Sequence, residues 1–469
     1  MITRENPAHP SQVVGSVEVT TDVGSVVERA YAAQVPWSQA TLADRCTAVR
    51  EAAASLDARV DELAVLLARE TGKPLPDCRG EIGFALTFLR WACDTAPAAL
   101  ADTLQDDAQG RLLTRHVPFG VVAAVTPWNA PVILTLLKVA PALCAGNAAV
   151  VKPSPLAPLA ISEVLTDLGR GLPEGLLAVV HGGADTGAAL VSHALVRKVA
   201  FTGGEVTGRV IAHLAAERLV PAVLELGGND PAVFLPDAEL TAEAMDRLVM
   251  ASFATAGQVC MAAKRLYVHR SLQPRFLEAY LAAASRVLVT GDPLAAGVTM
   301  GPLATSEAAA RVRGLLDGGS THHLGTTLEL GDGYFVPPVL VTGLPDTHPL
   351  VATEQFGPAV PLLVFDDEDE VVARANAGEL GLGASVWSAD EEHAFAVAAR
   401  LEAGFVFVNT HNRTGMSLRA PFGGVKGSGY GREYGDEGLL AYTQTCVTHA
   451  PTAFRAGGRG TGAAAYPTG

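Results

Sequence analysis

A chain of 469 residues is too long for one ordinary hydrophobic core, so two or three domains are expected. With 49% hydrophobic and 18% charged residues it is not a disordered chain, and a formal net charge of −15 without a Lys/Arg cluster excludes a nucleic-acid binder. The 48 glycines suit an α/β protein with many tight strand–helix turns.

Residues 1–10 have no apolar core and no signal-peptide form, and no segment reaches the length of a membrane span. A soluble, cytoplasmic protein without a membrane partner is expected. The first hundred residues read as mainly helical, with apolar residues at helical spacing over 26–33, 45–70 and 81–96. Gly72 and Pro74 end the second of these stretches. Then the texture changes. Short apolar runs at 120–126, 148–152, 176–180, 198–201 and 222–225 alternate with helical patterns such as 157–170. Buried strands alternating with helices predict a doubly wound parallel sheet, whose ligands bind at the C-terminal strand ends. A second alternation follows, with helices over 240–255, 271–289 and 390–399 and strands over 266–269, 360–365 and 404–409. The Gly/Ala-rich tail, 456–469, is expected to be mobile.

The six cysteines, at 46, 78, 93, 144, 260 and 446, form no CxxC pair, so structural zinc is not expected and reduced thiols are. His322 and His323 are adjacent and point apart, with no evident partner ligand, so no metal is assigned. Residues 182–187 resemble a phosphate loop in glycine spacing, but no Gly-Lys-Ser/Thr follows, and there is no GxGxxG.

Chemistry collects after the strands. Thr126-Pro127-Trp128-Asn129, Lys152-Pro153-Ser154-Pro155, Phe201-Thr202-Gly203-Gly204 and Glu225-Leu226-Gly227-Gly228 each follow one, and Gly257-Gln258-Val259-Cys260 ends a helical stretch. A thiol to attack a carbonyl, an amide to stabilise an oxyanion and a carboxylate to act as base are the groups needed for acyl chemistry on sulfur.

With Glu354-Gln355-Phe356-Gly357-Pro358 and the run from Pro421 through Phe422-Gly423-Gly424 and Lys426 to Ser428-Gly429, these motifs stand in an order that resembles the aldehyde dehydrogenase superfamily across essentially the whole chain. The resemblance implies a Rossmann-like, doubly wound dinucleotide domain (1–99 and 118–229), an α/β catalytic domain (230–438) and a small β oligomerisation element (100–117 and 439–455) whose strands pair between subunits. It implies oxidation of an aldehyde to an acid with NAD or NADP, in a homodimer or homotetramer. By position, Cys260 would be the nucleophile, Asn129 and the Cys260 N–H the oxyanion hole, and Glu225 the general base. Lys152 would bind the adenosine ribose, with Ser154 and Pro155 beside it. Gly203 and Gly204 would open a helix near the pyrophosphate, and Glu354 and Phe356 would hold the nicotinamide ribose and ring. Thr126, Pro127, Trp128, Gly183, Gly187, Thr202, Leu226 and Gly227 complete the expected cofactor site. Lys138 and Glu433 match positions linked to a proton relay, and read equally well as a plain salt bridge.

Two positions depart from the family pattern. Pro155 stands where many NAD-dependent members carry a ribose-gripping Glu, and Gly204 stands where a Ser is usual. The alternatives are a CoA-acylating relative, which typically lacks the base that Glu225 supplies here, and a non-catalytic protein on the same fold. The loop over 410–420 carries Arg413 and Arg419, either able to meet the carboxylate of a semialdehyde or simply to be surface charge.

Overall fold

The structure, a computed structural model, describes residues 1–454; the tail expected to be mobile, 456–469, lies outside the described residues. The chain opens with an antiparallel hairpin, β1 (Ile2–Asn6) and β2 (His9–Val17), within a stretch whose sequence predicts mainly helix. The hairpin is polar and is held from outside. Buried Arg4 donates from Nε to the Glu70 carbonyl at 2.9 Å and from Nη2 to the Ala304 carbonyl at 2.8 Å. Tertiary contacts of this kind leave no local periodicity.

Four helices follow: α1 (Val23–Gln39), α2 (Leu42–Ala53), α3 (Val60–Thr71) and α4 (Leu75–Ala99). Asp22 and Thr41 cap the first two through side-chain oxygens that accept from backbone N–H groups. A 3-10 turn over Ala54–Arg59 splits the stretch expected as one helix, and Gly72, at φ +79°, ends α3 in the left-handed conformation open to glycine. Strands β3 (Thr103–Asp107) and β4 (Gly110–Pro118) come next.

The first large sheet is built from β5 (Val121–Val125), β6 (Ala148–Lys152), β7 (Leu177–Val179), β8 (Val196–Thr202) and β9 (Ala222–Glu225), all parallel, in the order β7-β6-β5-β8-β9. Every residue of β5 and β6 is buried, as expected for strands covered by helices on both faces. The connecting helices are α5 (Pro131–Cys144), α6 (Leu159–Arg170), α7 (Ala184–Val191) and α8 (Glu205–Glu217). Strand order reverses between β5 and β8, and the crevice at such a point is the binding place in a doubly wound sheet.

The second sheet uses β10 (Asp230–Phe234), β11 (Ala263–His269), β12 (Ser320–His323), β13 (Val339–Thr342), β14 (Ala359–Phe365), β15 (Gly383–Trp387) and β16 (Phe405–Val408). Its order is β12-β13-β14-β11-β10-β15-β16, with only the β12–β13 pair antiparallel. Each sheet has its own apolar core, one centred on residues 23–226 and the other on 232–401. Leu382, Phe422, Tyr434, Leu439 and Tyr442 return to the first core from far along the chain. The two-residue strand β17 (Gly429–Tyr430) adds antiparallel to β9 and closes that edge of the first sheet. Finally β18 (Thr443–Pro451) pairs along β4, giving a three-stranded sheet β18-β4-β3 within one chain.

Candidate active site

Of the residues expected at the site, Pro127, Trp128, Asn129, Thr202, Gly203, Gly204, Leu226, Gly227, Cys260, Glu354 and Phe356 line one cavity of about 580 Å³ at the strand ends. The others surround it. Thr126 accepts a hydrogen bond from the Thr135 hydroxyl at 3.0 Å, and its own N–H donates to the Lys152 carbonyl at 3.1 Å. Gly187 lies under Lys152, where an added Cβ would stand 3.4 Å from Lys152 Cδ. Gly183 caps the start of α7, Ser154 Oγ accepts from the Leu156 N–H at 3.2 Å, and Pro155 is half-buried beside it.

The Cys260 segment is shaped by an uncommon backbone. The helix over Ala242–Phe253 runs into Thr255, Ala256 and Gly257 at φ of +57°, +55° and +71°. Three left-handed residues in succession reverse the chain and deliver Cys260 to the cavity, and strain of this kind concentrates at functional sites. Residue 257 must be glycine for a second reason: a Cβ there would lie 2.4 Å from the Gly357 carbonyl oxygen. Gln258 then ties the segment down. It donates from Nε2 to the Thr255 carbonyl at 3.0 Å, and its Oε1 accepts from the Ala304 N–H at 3.0 Å. Its carbonyl accepts from Asn129 Nδ2 at 2.9 Å, so the expected oxyanion donor and the thiol are fixed to one another.

The helix that follows Asn129 is held in turn. Glu81 of α4 accepts from the Val132 N–H at 2.8 Å, placing a carboxylate at the start of α5, where the helix dipole favours it. Burial pushes the Cys260 thiol up to about 12; Lys264 pulls the other way, and Glu354, Asp230 and Glu225 add to the rise. The Lys264 ammonium donates to the Cys260 carbonyl and, at 2.9 Å, to Glu354 Oε1.

Glu225 ends β9, in register with Thr202 on one side and Gly429 on the other. Its Oε1 is buried without a hydrogen-bond partner. Burial, and then neighbouring Glu433, hold its pKa well above the usual carboxylate range, against the pull of Lys138 and Arg432. A Cβ on Gly423 would come within 2.8 Å of Glu225 Oε1, so the glycine leaves room for the carboxyl group. Lys138 and Glu433 do form a buried salt bridge, at 2.5 Å, and Lys138 also donates to Thr202 Oγ1 at 2.7 Å.

The cavity suits a dinucleotide. Gly204 precedes α8 with no side-chain cap, leaving helix N-terminal N–H groups for an anion, and an added Cβ there meets nothing within 4 Å. A Cβ on Gly227 would lie 2.3 Å from Glu354 Oε2, and Phe356, at φ +42°, sets its ring edge-on to Trp128 with centroids 5.8 Å apart. Lys152 is buried, its pKa lowered by desolvation, and no carboxylate pairs with it among the described residues.

The sequence motifs gave no role to Gln258, Lys264, Glu81 or Ser428. The signal for Lys264 is a Lys264-Arg265 pair at the head of an otherwise apolar strand. Arg311, which also lines the cavity, carried none. Of the two loop arginines, Arg413 faces Asp77 at 3.4 Å, and Arg419 is exposed.

Comparison with known proteins agrees with this geometry. The family model described as "Aldehyde dehydrogenase family" matches residues 1–447. The chain is 38% identical over 435 residues to the 3-sulfolactaldehyde dehydrogenase of Pseudomonas putida, covering 89% of this chain and 87% of that protein. It is 36% identical over 456 residues to the NADP(+) succinate-semialdehyde dehydrogenase of Escherichia coli (strain K12), covering 94% and 93%. The crystal structure of the succinic semialdehyde dehydrogenase from Streptococcus pyogenes, in complex with NADP+, superposes with a TM-score of 0.90 at 28% identity, covering 96% of this chain and 100% of that one. A match over nearly the whole length, on this pair of parallel sheets and around this cavity, has one meaning: the chain belongs to the aldehyde dehydrogenase family, and it is an NAD(P)-dependent enzyme that oxidises an aldehyde to a carboxylic acid.

Proposed function

We propose that Cys260 is the nucleophile, Asn129 the oxyanion donor and Glu225 the general base of this oxidation. The observation that carries the reading is the Asn129–Gln258 hydrogen bond, which fixes amide and thiol together at the cavity wall, with the unpartnered Glu225 carboxyl group behind them. The Cys260 thiol gives up its proton to solvent water, and its sulfur bonds to the aldehyde carbon. The carbonyl oxygen becomes an oxyanion facing the second N–H of the Asn129 amide and the Cys260 N–H. The bound nicotinamide supplies a two-electron acceptor for the hydride that leaves this carbon. A thioester on Cys260 remains. Ionised Glu225 takes a proton from water, the hydroxide adds to the thioester, and the acid leaves as the sulfur is released.

Gly203, Gly204, Glu354 and Phe356 would hold the cofactor, with Lys152 at its adenosine ribose. Pro155 leaves no carboxylate to repel a 2′-phosphate, and unpaired Lys152 attracts one, so both NAD and NADP are usable, with kcat/KM values within about tenfold. The Arg413–Asp77 pair weakens the case for a carboxylate-specific loop, although two of the relatives are named for anionic aldehydes. A homodimer or homotetramer is supported by the β18-β4-β3 sheet, which leaves Leu104 and Val447 more than half exposed. Buried Cys93 and Cys144, unjoined at 3.7 Å, suit a reducing cytoplasm.

The test is Cys260→Ala, assayed by NADH and NADPH formation and by cofactor titration. Turnover should vanish while cofactor binding persists. Retention of more than a few per cent of kcat would remove Cys260 from the role.

A further inference from the structure

Close enough to Cys260 to feel its charge, Tyr434 occupies an unusual position. Its backbone is left-handed at φ +58°, costly for a bulky side chain, and the residue is 6% exposed. Its ring meets Phe88 edge-to-face at 5.3 Å between centroids and Phe422 at 6.5 Å. Phe422 and Glu433 exchange two backbone hydrogen bonds, at 2.7 and 2.8 Å, and Gly423 lies against the Glu225 carboxyl. The next residue, Gly435, donates from its N–H to the Leu418 carbonyl at 3.0 Å, which anchors the segment to the loop over 410–420. Tyr434 therefore stands where that loop, the Glu225–Glu433 carboxyl pair and the Cys260 segment meet, and Cys260 and Met261 pack on the same core.

Among the described residues the Tyr434 side chain makes ring contacts with Phe84, Phe88 and Phe422 and no hydrogen bond. Buried tyrosine hydroxyls ordinarily find a partner, and phenylalanine would fill this apolar wall equally well. Burial, Glu433 and the Cys260 thiol all push the phenol pKa up, so the group keeps its proton and remains a donor at any working pH. A donor held in an aromatic wall, felt by the nucleophile and unpaired in the protein, is a group that the substrate completes.

We propose that Tyr434 is a specificity-determining residue: its hydroxyl donates a hydrogen bond to an oxygen that the aldehyde carries away from its carbonyl, while Phe88 and Phe422 flank the carbon chain. The enzyme then favours oxygen-bearing aldehydes over alkyl aldehydes of the same size. This rests on the reading of Cys260 as the reaction centre.

The test compares size-matched substrates, 3-hydroxypropanal with butanal and 4-hydroxybenzaldehyde with 4-methylbenzaldehyde, on wild type and Tyr434→Phe. Wild type should prefer the hydroxyl member of at least one pair. In Tyr434→Phe, kcat/KM for that member should fall about tenfold or more, the penalty for losing a partner that a polar site was built to meet, while its methyl counterpart stays within about twofold. Equal melting temperatures for the two proteins would exclude a packing defect. A Tyr434→Phe variant that changes both members of each pair equally, or neither, overturns the proposal. The nucleophile reading fails separately, through activity retained by Cys260→Ala; the selectivity ratio reports on Tyr434 whichever group attacks the carbonyl.

Discussion

At the scale of the residue, burial works against ionisation of two acids at the site. A thiol raised to about 12 is almost wholly unionised at neutral pH, and a buried carboxyl beside Glu433 resists ionisation too. Glu225 takes up its charge only as pH rises through its elevated pKa, so the step that needs its carboxylate speeds up with pH. The expected outcome is a burst of NAD(P)H at low pH followed by slow steady turnover, with the steady rate climbing as pH increases. Glu225→Gln should show the burst at every pH and lose the climb. Stopped-flow absorbance across a pH series decides it; a Glu225→Gln steady rate that tracks wild type would mean that water is activated elsewhere. Cys260, Asn129 and Glu225 could be singled out from the sequence because each sits in a local motif. Gln258, Glu81 and Tyr434 were not assigned roles, because their partners lie at Asn129, at Val132 and in an aromatic wall far along the chain.

At the scale of the element, the five parallel strands of the first sheet, and β11, β14 and β16 of the second, were legible as apolar runs, since strands buried on both faces have little room for polar residues; β10, β12, β13 and β15 were not expected from the sequence. The β1–β2 hairpin was not, because polar sequence paired on Arg4 contacts carries no apolar rhythm. Two-residue β17 is too short to leave any pattern. The start of α8 offers an element-scale test. Gly204 leaves the helix without a side-chain cap, and open space surrounds the place a side chain would take. Gly204→Ser should add a hydroxyl at the helix N-terminus, stabilising the helix by a few tenths of a kcal/mol and lowering KM for both cofactors severalfold with kcat little changed. Saturation curves for NAD and NADP measure this; an unchanged or higher KM for both would show that the N-terminus does not meet the cofactor's phosphates.

At the scale of the whole molecule, Ser428 joins the two cores. Its hydroxyl donates to the Gly227 carbonyl at 2.6 Å and accepts from the Gly381 N–H at 2.9 Å, and its carbonyl accepts from the Leu226 N–H at 3.0 Å. Ser428→Ala leaves two buried polar groups unpaired, at a cost of about 1–3 kcal/mol. The urea midpoint should fall accordingly, and a stability equal to wild type would show that the junction is held by other contacts. The same region sets an order of events during synthesis. Strand β9, which ends in Glu225, is an open edge until β17 pairs with it, and β17 lies some two hundred residues further along the chain. A ribosome that has released the whole first sheet up to β9 has therefore released it with the edge that ends in Glu225 still unpaired, exposed to other nascent chains. The enzyme completes its active site and seals this sheet against aggregation in a single late event, so nonsense truncation anywhere before residue 429 leaves a sticky fragment rather than a partly working protein.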